Sequence, residues 1–206
     1  MRWSALALGL VVTALAARPV RGEPLPATAD AWAVRPGGRL TVDGGLILGL
    51  PVALGTGLAT GIGGGAMLIP GRIRSSNFSL GIRASWATAT ESSISWTVTH
   101  DDFRLRAAAA LEHSAGRGRF GLRLAAGPSF IHETRVRNQG MRAGLTGADL
   151  ETSTLSTAPT ADLEAVVALH ILGPWLLVVS GGPSLAIVDG VMRGGFTAQM
   201  GVGWQP

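Results

Sequence analysis

Cysteine, lysine and tyrosine are all missing from this 206-residue chain. Without cysteine there is no disulfide, no thiolate metal site and no lipid-anchored N-terminal cysteine. With no lysine, every one of the 17 basic residues is arginine, which reads as a coding bias before it reads as arginine chemistry. Charge itself is scarce. Asp, Glu, Lys and Arg together make up 15% of the residues, against roughly 25% in ordinary soluble domains. The formal net charge of +4 is modest, and no basic run is interleaved with aromatics, so nothing points to nucleic acid. Hydrophobic residues (47%) and glycine (30 residues) are abundant instead. An interior Gly costs a helix roughly 0.5–1 kcal/mol relative to Ala, so this composition favours strands and turns.

The N-terminus reads as an export signal. Met1-Arg2-Trp3 carries a positive charge, and residues 4–17 form an apolar core too short to span a membrane comfortably. Ala14-Leu15-Ala16 and Val20-Arg21-Gly22 both offer small-x-small cleavage sites. We therefore expect a signal peptide over 1–22, cut near 16–22, then a flexible Pro- and Ala-rich leader over 23–38. A single domain follows over 39–206.

From Leu40 onward the period is two. Leu46, Leu48, Leu50 and Val52 alternate with Gly45, Gly49, Pro51 and Ala53, and alternate strand residues face opposite sides of a sheet. Phe78, Leu80, Ile82 and Trp86 alternate with Ser79, Gly81, Arg83 and Ser85. Phe103 and Leu105 alternate with Arg104 and Arg106, and Phe120, Leu122 and Leu124 with Arg119, Gly121 and Arg123. Leu163, Val167 and Leu169 oppose Asp162, Glu164 and His170, and the last segment sets Phe196, Met200, Val202 and Trp204 against Thr197, Gln199 and Gly203. One apolar face and one small or polar face, repeated in segments of about ten residues, is the pattern of a membrane β-barrel.

Strands are expected near 39–50, 57–69, 76–88, 102–114, 118–133, 160–172, 174–188 and 195–204, which makes eight. The links near 70–75, 115–118 and 173–174 are short; of the alternate links, those near 89–101 and 134–159 are long and those near 51–56 and 189–194 are short. Short periplasmic turns and longer external loops are a rule of outer-membrane barrels. The expected fold is thus all-β, an eight-stranded antiparallel up-and-down transmembrane barrel. Two rivals stand beside it. One is a pair of transmembrane helices near 44–71 and 165–188. The other is a soluble barrel or sandwich with the bulky face turned inward.

On these grounds the chain resembles the small outer-membrane β-barrel proteins, such as the OmpX and OmpW types and the membrane domain of OmpA. The resemblance covers roughly 39–206 and rests on the export signal, the dyad strands, the loop alternation and the aromatic last strand from Phe196 to Trp204. It implies an outer-membrane location, outer-membrane lipid as the main partner, and the barrel-assembly machinery during biogenesis. The chain departs from the group in ending Trp204-Gln205-Pro206 and in lacking Tyr for its aromatic girdles.

Candidate chemistry is sparse. Arg83, Arg104, Arg106, Arg119 and Arg123 should point into the lumen, with Glu112, Asp162 and Glu164 as counter-ions. An internal salt-bridge plug is the expected arrangement, and a narrow anion-preferring pore is its rival. Arg135, Arg137 and Arg142, at the longest external link, are candidate contacts for lipopolysaccharide phosphates. Gly127-Pro128-Ser129 and Gly182-Pro183-Ser184 should mark bulges or local breaks, since proline cannot donate to a ladder. Four scattered histidines (His100, His113, His132, His170) lack metal-ligand spacing, and no cofactor is expected. Ser129, His132 and Glu133 form a tempting acyl-hydrolase grouping, but adjacent strand residues face opposite ways. The expected role is therefore non-enzymatic, structural or in surface interaction, with a narrow pore, a soluble periplasmic barrel or a lipid-acyl enzyme as alternatives.

Overall fold

The computed structural model describes residues 35–50, 58–73, 76–138, 140, 147 and 150–206. The expected signal peptide, most of the leader and the link at 51–56 lie outside the described residues. Eight strands follow one another: β1 (Arg35–Leu50), β2 (Ala59–Ile73), β3 (Ser76–Ser92), β4 (Trp96–Ala115), β5 (Gly118–Arg137), β6 (Glu151–Leu172), β7 (Trp175–Val188) and β8 (Val191–Trp204). Each pairs antiparallel with its sequence neighbours, and β1 pairs with β8 to close the ring. The expected eight-stranded up-and-down barrel is the fold.

Which face points inward decides between a membrane barrel and a soluble one. Leu46, Ile82 and Leu122 are 68%, 63% and 58% exposed, whereas Arg83 and Arg123 are each 2% exposed. The bulky apolar face therefore looks outward on every strand. In water such a continuous apolar band would be a severe aggregation liability. In hydrocarbon it costs nothing, and a closed barrel satisfies its backbone groups internally, as a membrane demands. The soluble alternative fails on this orientation, and the helical one fails on the strands themselves.

Two aromatic belts bound the band. Trp86, Phe103 and Phe130 are successive cross-strand neighbours on β3, β4 and β5, with the two Phe ring centroids 6.2 Å apart. Near the other end, Trp175 pairs with Trp204, and the Phe120 ring lies 5.4 Å from that of His113. Phe120 and Phe130 are ten residues apart on one strand. At ~3.3 Å per residue and a tilt of about 40°, that is about 25 Å of height, the thickness of an outer-membrane apolar band. Trp and Phe thus build the girdles without any Tyr.

A narrow barrel must curve sharply, and glycine allows it. A Cβ on Gly121 or Gly182 would run into the carbonyl oxygen of Leu111 or Leu163 on the adjoining strand. Inside, the lumen is layered. Ile131, Val188 and five alanines cap the loop end. Met67, Ala108, Ala110 and Ala125, with Val166, Ala168, Leu176 and Val178, fill the end nearer the termini. The charged side chains interleave with the second group, Ala110 standing cross-strand to Arg123 and Ala125 to Asp162.

Several boundaries differ from expectation. β1 begins at Arg35, inside the expected leader, while β4 begins at Trp96, β5 continues to Arg137 and β6 begins at Glu151. Most of the expected long links at 89–101 and 134–159 is therefore strand. These stretches are Thr- and Ser-rich on both faces, so they lack the apolar face by which a strand was recognised. The two Gly-Pro-Ser segments are local breaks and not bulges. Register is identical on either side of each (Arg104↔Ser129 and Ala107↔Ala126; Asp162↔Ser184 and Ala165↔Gly181), with two rungs lost between. The register shifts fall elsewhere, between Pro36 and Arg39, Leu68 and Gly71, and His170 and Leu172.

Candidate functional site: a charge-balanced lumen beneath a protruding sheet

The lumen charges come together in three groups, around Asp43, around Asp162 and at Arg119. Arg83 Nη1 donates to both carboxylate oxygens of Asp43 at 2.9 and 3.0 Å, and its Nη2 donates to Gln199 Oε1 at 2.6 Å. Arg123 donates from Nε to Glu164 at 2.9 Å and from Nη2 to Ser180 at 3.0 Å, and lies 3.7 Å from the same Asp43. Arg104 donates to Asp102 at 2.7 Å and approaches Asp162 at 3.7 Å. Arg106 pairs with Asp162 and donates to Ser85 at 2.9 Å. Arg119 meets Glu112 at 3.5 Å, nearer the terminal end. Lumen-facing glycines make room for these groups: a Cβ on Gly65 would stand 2.7 Å from Arg83 Cγ.

All eight lumen residues expected from the sequence are on the inward face. Seven are buried, and Glu112 is half-buried. Two acids were missed: Asp43 and Asp102, 7% and 1% exposed. Both were within reach of the same rule, since Asp43 shares parity with Gly45 and Gly49, and Asp102 with Arg104 and Arg106. They change the electrostatics. Among the described residues five arginines now face five carboxylates (Asp43, Asp102, Glu112, Asp162, Glu164), which leaves no surplus positive charge among them for an anion-preferring pore.

The two Gly-Pro-Ser segments serve the group around Asp162. Ser129 donates to Asp102 and Ser184 to Asp162, each on the preceding strand. Ser129 is consequently fully buried on the lumen face while His132 is exposed on the outer one, so the Ser129–His132–Glu133 grouping, already disfavoured by strand alternation, does not assemble. Two small voids lie among the described lumen residues. One void of about 30 Å³ lies against Arg104, Arg106, Glu164 and Gln199, and another of about 20 Å³ against Asp43, Arg119 and Arg123. Each has room for only a water molecule or so.

At the loop end β3–β6 rise beyond their neighbours. Residues 151–157 of β6 pair with β5 on one side, whereas the β6–β7 ladder starts only at Thr160↔Ala186. Arg135 and Arg137 lie on the concave side of this sheet. Arg135 pairs with Glu133, which His100 also meets at 3.3 Å, and the Arg137 guanidinium lies 4.5 Å from the centroid of the Trp96 ring. Arg142 lies outside the described residues. A mouth of about 600 Å³ opens among Glu133, Arg135, Thr152, Thr154, Ser156, Asp189 and Arg193. Asn138 donates to the carbonyls of Ser93 and Ile94, at 2.6 and 3.2 Å, tying the tip of β5 to the β3–β4 turn.

A closed ring of eight antiparallel strands, with apolar side chains outside and paired charges inside, defines the class of small outer-membrane-type β-barrels. No family model matches the sequence, and no curated protein matches it either. Solved structures do match the fold. The attachment invasion locus protein of Yersinia pestis, crystallised with the heparin analogue sucrose octasulfate, superposes with a TM-score of 0.50 at 11% identity, covering 82% of this chain and 99% of that one. Neisserial surface protein A gives 0.46 at 10% identity, covering 82% and 95%. At such identities the likeness is one of fold alone.

Proposed function

We propose that this chain resides in the bacterial outer membrane as a non-conducting barrel that acts by surface interaction through its protruding sheet. The observation that carries the reading is the unequal length of the strands. With the termini on the periplasmic side, the loop ends of β3–β6 stand outside the cell, and residues 151–157 present a strand edge with no ladder partner among the described strands. Such an edge is a template for one kind of ligand, an extended polypeptide that adds a strand. Native proteins usually block exposed edges with Lys, Pro or a bulge, and Glu151-Thr152-Ser153-Thr154-Leu155-Ser156-Thr157 has none of these. The charge-balanced lumen supports a plug and disfavours a pore, since ions would have to pass the apolar residues that cap its loop end.

The test is binding of a nine-residue peptide of alternating threonine and valine to the full chain in lipid nanodiscs. Wild type should bind, and Leu155→Lys, which puts a blocking charge on the edge strand, should bind at least about tenfold more weakly. Equal binding by both proteins, or none by wild type, would refute the reading.

A further inference from the structure

The outward face of the same sheet carries a second feature that neither the lumen nor the open edge uses. His132 on β5 and Ser153 on β6 lie 2.6 Å apart, Nε2 to Oγ, a separation suited to a base and the nucleophile it activates. Directly across the β4–β5 ladder from His132 stands Asp101, on the same outer face. Three adjacent strands thus contribute acid, base and hydroxyl to one outer face, an order no sequence spacing reveals. The cluster's height is informative. Phe103 and Phe130 are each two residues membrane-ward of Asp101 and His132 on the same face, so the group stands about 7 Å along the strand above the aromatic belt. At a tilt of about 40° that is about 5 Å of height, within the interfacial region that flanks the hydrocarbon. Leu155, cross-strand to His132 and 73% exposed, adds an apolar contact beside it.

We propose that Asp101, His132 and Ser153 form a hydrolytic site for ester-linked acyl chains of lipids in the outer leaflet. Ser153 Oγ attacks the ester carbonyl carbon as His132 Nε2 takes the hydroxyl proton. The tetrahedral intermediate collapses, the bond to the alcohol oxygen breaks, and His132 returns the proton to that oxygen, leaving an acyl-Ser153 ester. Water then attacks the acyl carbon with its proton passing to His132. Collapse releases the fatty acid and restores the serine hydroxyl. The developing oxyanion needs a fixed donor, and the Thr134 hydroxyl side chain stands cross-strand to Ser153. Asp101 is a positioning residue, holding the imidazole tautomer in which Nε2 can accept. This activity is independent of strand addition at the edge, and either can fail without the other.

The experiment uses the full mature chain refolded into phosphatidylethanolamine vesicles, treated with a fluorophosphonate probe and assayed in parallel for released fatty acid. Each variant is scored in preparations that retain the wild-type heat-dependent gel mobility. The probe should add to Ser153 by mass spectrometry, and Ser153→Ala should abolish both labelling and release. His132→Gln should slow release by about 10²-fold or more, and Asp101→Asn should lower kcat while leaving KM unchanged. A wild-type chain that neither labels nor releases fatty acid overturns the proposal. So does Ser153→Ala releasing fatty acid at the wild-type rate.

Discussion

Asp43→Asn probes how dry the lumen is. Asp43 lies 2.9 Å from Arg83 and 3.7 Å from Arg123, so one carboxylate answers two guanidiniums that are each 2% exposed. Were the lumen water-filled, the pairs would behave like surface ion pairs, worth about 0–1 kcal/mol. In a packed, dry lumen, loss of the carboxylate leaves positive charge buried without compensation, which costs about 3–5 kcal/mol. The amide keeps the shape and one acceptor oxygen, so the lower part of that range, about 3 kcal/mol, is the expected loss. It can be read from urea unfolding of the vesicle-inserted barrel by tryptophan fluorescence. Pairing Asp43→Asn with Arg83→Gln should recover part of the loss, because the second change removes one stranded charge. A loss below about 1 kcal/mol, with no recovery in the double variant, would refute a dry plug.

Three further outcomes test the same structure. In planar bilayers the wild-type chain should show no stable open level, because the voids beside the arginines are only about 30 and 20 Å³; a steady anion-selective conductance would contradict this. Leu122→Arg, on the lipid face between the aromatic belts, should cost about 2–4 kcal/mol, whereas Leu155→Arg, on the sheet above them, should change unfolding by less than about 0.5 kcal/mol; equal costs would misplace the membrane. Gly121→Ala should destabilise the barrel by about 1–3 kcal/mol, since its methyl group presses on the Leu111 carbonyl oxygen, and a neutral result in the same unfolding assay would show that β4 and β5 part easily there.

The dyad pattern carried the fold because a membrane imposes one simple demand on a strand, apolar outside and small or polar inside. Every stretch that meets lipid obeyed it, so Leu80, Leu122 and Val202 were recognised as one face and Arg83 and Arg123 as the other. The rule is silent where lipid ends. Trp96-Thr97-Val98-Thr99 and the stretch from Thr152 to Thr157 carry no continuous apolar outward face, so nothing in their order separates strand from loop. Only the ladders with their neighbours show them to be strand.

By itself, then, the sequence determined the strand count, the closed all-β class and the inward address of the arginines, since period and burial are local properties of a chain in a bilayer. Partnership was left to the tertiary structure. That Asp43 answers both Arg83 and Arg123, that Asp102 and Asp162 each take a Gly-Pro-Ser hydroxyl, and that His132 meets Ser153 opposite Asp101 all depend on register between strands. Register is set by the closing of the whole ring, and no segment read alone contains it.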